Sequence, residues 1–144
     1  MLKIVLDANV FVSALLNPHG KPAQILNYVF ENRIRLFASL HILRELERVL
    51  SYPKLVNRHR LDREELKGFI SDLLSIVSLV EEKKIIEVIR EDPSDNHYLS
   101  CAFEAEVDFI ISGDVHLLNL GEYERIKIIT PAQLLEIIKR EGKA

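Results

Sequence analysis

The feature that most constrains the fold of this chain is a set of short, almost unbroken apolar runs: Ile4-Val5-Leu6, Ile34 to Ala38, Val77 to Val80, Phe109-Ile110-Ile111 and Ile126 to Ile129. Runs too short for a helix, yet apolar at consecutive positions, read as strands buried on both faces. Such strands belong to parallel sheets, whose faces are covered by helices. The segments between the runs have helical character. Residues from about Asn9 to Leu16 are apolar enough for a buried helix, which Asn17-Pro18-His19-Gly20 ends. After Pro22, the residues Ile25, Leu26, Val29 and Phe30 share one face; Ser39 is placed to cap a helix with Leu40, Leu43, Leu46 and Leu50 on its inner side. Tyr52-Pro53 closes that helix, because proline removes a donor and restricts the residue before it. Another helix runs from about Asp62 through Phe69, Ile70, Leu73 and Leu74, another from Asn96 to about Glu106, and a last one opens at Thr130-Pro131. The alternation predicts an α/β fold around a parallel sheet of about five strands, and a chain of 144 residues suits one domain spanning 1–144.

The carboxylates fall where these elements end. Asp7 follows the first strand, Asp114 follows the fourth, and Asp95 opens the helix leading into the fourth. In open α/β sheets ligands bind outside the carboxyl ends of the strands. Asp7 and Asp114 therefore meet there if their strands are neighbours, and Asp95 faces the same edge. Glu45, between Leu43 and Leu46, reaches inward from a helix beside the sheet. Each acid also has a plainer role: Asp7, Asp95 and Asp114 as caps or turn residues, and Glu45 as part of a solvated face. Several ionised carboxylates share a pocket only around a cation, since like charges raise one another's pKa. Hard divalent ions such as Mg²⁺ or Mn²⁺ suit an all-oxygen site. The chemistry that follows is metal-assisted attack of water on a phosphodiester. Ser13 and Ser112 have no obvious His-Asp relay, and the chain lacks both the phosphate-cradling P-loop and the dinucleotide-binding glycine fingerprint.

The remaining sequence bounds partners and location. A net charge of -3 argues against broad non-specific binding to nucleic acid. The stretch from Lys54 to Lys67 is nevertheless the most basic in the chain. Lys54, Arg58, Arg60, Arg63 and Lys67 form either a solvated loop and helix face or a set of phosphate contacts holding RNA over the acidic pocket, with Tyr52, His59 and Tyr98 available to stack on bases. Cys101 is the only cysteine and reads as a small core residue rather than a disulfide partner. Neither a signal peptide nor a membrane span is legible, so the expected location is the cytoplasm.

Taken in order, the acidic stretches resemble those of the PIN-domain ribonucleases. The resemblance rests on Leu6-Asp7-Ala8-Asn9-Val10-Phe11-Val12-Ser13; on Glu45 within its helix; on Asp92-Pro93-Ser94-Asp95-Asn96 with Leu99, Cys101 and Ala102; and on Phe109-Ile110-Ile111-Ser112-Gly113-Asp114-Val115-His116-Leu117-Leu118. It extends through the closing Ile129-Thr130-Pro131. It implies a three-layer α/β/α domain with a central sheet of about five parallel strands, dependence on one or two Mg²⁺ or Mn²⁺ ions, and cleavage of single-stranded RNA. Many members are VapC-type toxins of toxin-antitoxin pairs, which implies an antitoxin protein as partner and makes a homodimer an expectation. Carried over by position, Asp7, Glu45, Asp95 and Asp114 are the catalytic acids and metal ligands, directly or through water. Asn9 and Ser112 are polar residues able to orient a ligand or water. Asp92 either shares the role of Asp95 or shapes its turn. His116 stands near where the family often has another acid, which weakens a second metal position.

Two other readings compete. A non-catalytic RNA-binding module would keep the fold while its altered fourth motif holds no metal. A receiver-type phosphoacceptor would need an aspartate ending a middle strand and a lysine ending the last one, where this chain has Glu81 after Val80 and Thr130-Pro131 after Ile129.

Overall fold

A computed structural model describes residues 1–90 and 92–141. Strand β1 (Leu2–Leu6) leads into helix α1 (Ala8–Leu16), followed by α2 (Lys21–Phe30), β2 (Ile34–Ala38), α3 (Leu40–Leu50), α4 (Pro53–His59), α5 (Arg63–Ile76) and β3 (Val77–Leu79). A 3₁₀ turn (Pro93–Asp95) then opens α6 (Asn96–Ala105), and β4 (Phe109–Ile111), α7 (Val115–Leu120), β5 (Glu122–Tyr123), β6 (Ile126–Ile129) and α8 (Pro131–Arg140) complete the order.

The strands form one sheet in the order β3-β2-β1-β4-β6-β5, parallel throughout except for the β5–β6 pair. From β1 the chain builds outward on one side through β2 and β3, then returns to the other side of β1 for β4 and β6. The switch of direction lies between β1 and β4, where ligand crevices form in open α/β sheets. Register places the residues beyond the two strands side by side: Leu6 pairs with Ile111, and the Asp7 N–H donates to the Ile111 carbonyl at 3.0 Å.

Alternation along the strands divides the core into two layers. Ile4, Leu6, Ile34 and Leu36 face α1, α2, α5 and α8 through Phe11, Ile25, Leu26, Leu73, Leu134 and Ile138. Val5, Ala38, Ile110 and Ile128 face α6 and α7 through Tyr98, Leu99, Cys101 and Leu117. Helix α3 bridges the layers, with Leu46 and Leu50 in the first and Ile42 and Leu43 in the second. Burial pushes the Cys101 thiol up to about 12, so it packs as an apolar residue.

The three-layer arrangement agrees with expectation, with three differences. Pro53 does not simply end helical structure: a proline at the first position of a helix loses no bond, and Pro53 opens α4. The sheet has six strands instead of about five, because Arg125 and Glu124 adopt left-handed backbone and fold Glu122–Tyr123 back against β6 as a two-residue antiparallel edge. A short helix, α7, follows Asp114, which caps it. Glu91 lies outside the described residues, so the turn that opens α6 is described from Asp92.

Candidate active site

Asp7 ends β1 in extended backbone and caps α1: its Oδ1 accepts the Asn9 N–H at 2.9 Å. A cap uses one carboxylate oxygen. The other, Oδ2, accepts the Ser112 hydroxyl at 2.7 Å, and the Ser112 Oγ in turn accepts the Asp114 N–H at 2.9 Å. Ser112 is fully buried just beyond β4, so this relay ties together two acids more than 100 residues apart in the chain. The plain role and the functional one coexist in Asp7, because a carboxylate has more acceptor sites than a cap consumes.

A second bridge joins Asp7's neighbour to Glu45. The Tyr98 hydroxyl accepts the Ala8 N–H at 3.0 Å and donates to Glu45 Oε2 at 3.1 Å. Tyr98 is 2% exposed, and its phenol is held far above its ordinary pKa, first by burial and then by the charge of Asp7. It therefore acts as a fixed donor. Glu45 also lies 3.7 Å from the Arg48 guanidinium one turn along α3.

Asp95 differs from the others. Its side chain makes no cap bond, it is 5% exposed, and its Oδ2 is buried with no hydrogen-bond partner. Burial, followed by the charges of Asp114 and Asp92, a carboxyl–carboxyl hydrogen bond with Asp114 and the charge of Asp7, pushes its carboxyl up to about 8. Asp7 is raised as well, chiefly by burial, with the Ser112 and Asn9 bonds opposing the rise and Asp114 and Glu45 adding to it. The four acids thus act on one another at the switch point of the sheet. Buried polar groups are ordinarily paired; an unpaired carboxylate oxygen among other carboxylates is what a cation site leaves behind when only protein atoms are considered. The donors are all hard oxygens, which suits a divalent ion of the Mg²⁺ class. Among the described residues no three acid, imidazole or thiolate side chains are gathered closely enough to hold a metal ion by themselves; an ion here would take one or two carboxylates directly and keep its waters.

The remaining expected residues take lesser places. Asp92 accepts the Ser94 N–H at 3.2 Å and the Ser94 hydroxyl at 2.6 Å, so its carboxylate shapes the turn. The contribution of Asn9 comes from its backbone, with the residue itself exposed. His116 likewise offers its N–H to Asp114 Oδ1 at 2.8 Å and exposes its ring. Lys54, Arg58, Arg60, Arg63 and Lys67 are exposed on α4, α5 and their junction; among the described residues none pairs with a pocket acid, and Arg48 is the cation beside Glu45. One of the expected stacking residues, Tyr98, is buried and not free to stack. His59 spans its loop, with Nε2 donating to the Leu50 carbonyl and Nδ1 accepting the Leu61 N–H, both at 2.9 Å. Tyr52 stays 45% exposed.

The support role of Tyr98 lies beyond what the sequence reading assigned to it. One signal existed: a tyrosine three residues after Asp95, on the inner face of a helix, needs a partner for its hydroxyl. Asn96 is a second support of this kind. Its Oδ1 accepts the Val88 and Ile89 N–H groups and its Nδ2 donates to the Ile89 and Pro93 carbonyls, pinning the loop beside Asp95.

Comparison with known proteins gives a consistent picture. A family model described as PIN domain matches residues 3–116. An uncharacterized protein of Methanocaldococcus jannaschii is 33% identical over 143 aligned positions, covering 94% of this chain and 90% of that protein. The solved structure of VapBC2 from Rickettsia felis, bound to a DNA fragment from its promoter, shares the fold with a TM-score of 0.58 at 13% identity, covering 90% of this chain and 98% of the matched one.

Proposed function

The chain belongs to the PIN-domain family, and on that footing we propose that residues 1–144 form one divalent-metal-dependent endoribonuclease domain that hydrolyses single-stranded RNA. The observation that carries this reading is the buried, unpartnered Oδ2 of Asp95 beside Asp7 and Asp114. Asp7, Glu45, Asp95 and Asp114 would hold Mg²⁺ or Mn²⁺, directly or through water. Such an ion, when bound, lowers the pKa of a water and neutralises charge developing on the phosphodiester.

The chain's own residues organise that site. Ser112 keeps one Asp7 oxygen aimed along the sheet edge while Asn9 holds the other. Tyr98 fixes Glu45, and the network through Asn96 holds the loop that carries Asp95. Burial excludes water from Asp7 and Asp95, which strengthens their interaction with any cation that reaches them. Positive charge on α4 and α5 would contact RNA phosphates without reading bases.

The fold shared with VapBC2 supports a toxin role with an antitoxin protein as partner; a homodimer is proposed from the family resemblance alone. Among the described residues no helix is long and apolar enough to cross a membrane, which agrees with a cytoplasmic setting. Family membership leaves no place for the receiver-type alternative. The non-catalytic alternative is separable by experiment. Purified protein with Mn²⁺ or Mg²⁺ should cut single-stranded RNA, EDTA should stop it, and calorimetric binding of Mn²⁺ should vanish in Asp95→Asn. Cation binding unchanged by that substitution would remove Asp95 from the site.

A further inference from the structure

Beside the acidic pocket lies a pair of rings that the proposed chemistry does not use. His41, on α3 one turn before Glu45, stacks on His97, on α6 two residues after Asp95; the ring centroids are 3.3 Å apart and the planes 18° from parallel. The pair thus spans the two helices that carry acids of the pocket. His97 is held from behind: its Nδ1 donates to Glu82 Oε1 at 2.6 Å, and Glu82 itself has a side chain only 15% exposed. His41 is exposed. Burial and then the neighbouring His97 keep its imidazole below the ordinary pKa.

A cleft of about 320 Å³, lined in part by Glu82, Ile86, Pro93, Asn96, His97 and Ser100, runs beside the inner ring. That volume is at the small end for ligand pockets. A metal role for these side chains finds no support. The Nδ1 of His97 is committed to Glu82.

Flat ring faces beside a phosphodiester-cleaving site suit a nucleobase, because every base has a π-face and stacking tolerates sequence. We infer that the His41–His97 pair is a base-stacking platform, with Glu82 fixing the inner ring so that the exposed outer ring of His41 receives a base of the substrate strand adjacent to the acids. This inference rests on the nuclease reading for its substrate, and the test separates the two.

Single-stranded RNA carrying 2-aminopurine would be titrated with metal-free protein in EDTA, where cutting plays no part. Stacking quenches that fluorophore, so wild-type protein should quench it, His41→Ala should lose most of the quenching, and His41→Phe should restore it. In multiple-turnover cleavage with Mn²⁺, His41→Ala should raise KM by about tenfold, the loss of one stacked base, with kcat changed less than about twofold. Merely structural packing would not be rescued by phenylalanine in both readouts. If the protein cuts RNA and His41→Ala alters neither quenching nor KM, the platform is wrong and the nuclease reading stands. If His41-dependent quenching occurs without cutting, the platform stands and the catalytic reading fails. A protein that neither binds nor cuts RNA overturns both.

Discussion

The acidic edge of the sheet and the basic face of α4 and α5 are both charged, yet they are built in opposite ways. At the acidic edge, groups from distant parts of the chain are tied together: Asp7 to Ser112, Ser112 to Asp114, Tyr98 to both Ala8 and Glu45, with Oδ2 of Asp95 left unpaired among them. On the basic face Lys54, Arg58, Arg60, Arg63 and Lys67 are exposed. Holding like charges together opposes folding, so it happens only where packing enforces it. Leu6 and Ile111, paired across β1 and β4 just before the acids and fully buried, each contribute about 1.5–3 kcal/mol of burial. Phosphate-binding side chains need no such enforcement, because solvated cations act through position and number. The difference teaches where substitutions should be lethal to activity and where they should only weaken it.

The sharpest way to break this contrast is at the acids themselves. Asp7→Asn and Asp95→Asn should each lower RNA cleavage by on the order of 10³-fold or more, a loss expected when groups acting as one unit are disrupted, with circular dichroism unchanged. Full activity in either variant would mean that the enforced cluster is not the active site. Next in size is Tyr98→Phe, which strands the buried Ala8 N–H and frees Glu45. Cleavage should fall by about 10–100-fold, as for loss of a ligand-supporting interaction, and chemical denaturation should show a loss of roughly 1–3 kcal/mol. A variant that lost stability while keeping full activity would confine the Tyr98 bridge to folding.

The unpaired oxygen should show itself in stability rather than in rate. Asp95 keeps its proton in the folded chain up to about pH 8, whereas in the unfolded chain it loses it near the ordinary value of about 3.9. Across that window the folded form binds more protons, so without divalent ions stability should fall as pH rises from about 4 to about 8. Asp95→Asn should flatten this slope and stabilise the metal-free protein near pH 8 by up to about 5 kcal/mol, the linkage limit for a carboxyl raised from about 4 to about 8. Melting curves at stepped pH would read it, and a stability that rises with pH would contradict the assignment. The smallest effects belong to the basic face. Single alanine substitutions at Arg58, Arg60, Arg63 or Lys67 should raise KM a few-fold, reduce the salt slope of RNA binding by about 0.7 for each phosphate no longer neutralised, and change stability by no more than about 0.5 kcal/mol. An unchanged salt slope would remove these residues from the RNA path.

Much of the fold was legible because local rules governed it. Ser39, Asp62 and Thr130 cap their helices as their positions suggested, and the five apolar runs all became strands. What escaped was structure with a weak local signal: α4, begun by a proline that equally suits an ending, and β5, whose two residues pair only because a left-handed turn returns them to β6. At the site, the acids were visible as residue types at element ends and Ser112 through the family resemblance, while the bonds that join these groups were not. In the sequence Ser112 is one polar residue among several and Tyr98 one of several rings able to stack, since nothing within several residues of either reveals a partner 105 or 53 positions away.

The sequence by itself determined that this chain forms short buried strands between helices and that its acids stand at their carboxyl ends. Both follow from periodicity and capping, which act over a few residues. Only the tertiary structure decided that β4 lies beside β1, that Ser112 and Tyr98 lock Asp7 and Glu45 in place, and that Asp95 is left with an oxygen unpaired. Strand neighbours are selected by the packing of whole layers, and a hydrogen bond between distant residues exists only after that selection has been made.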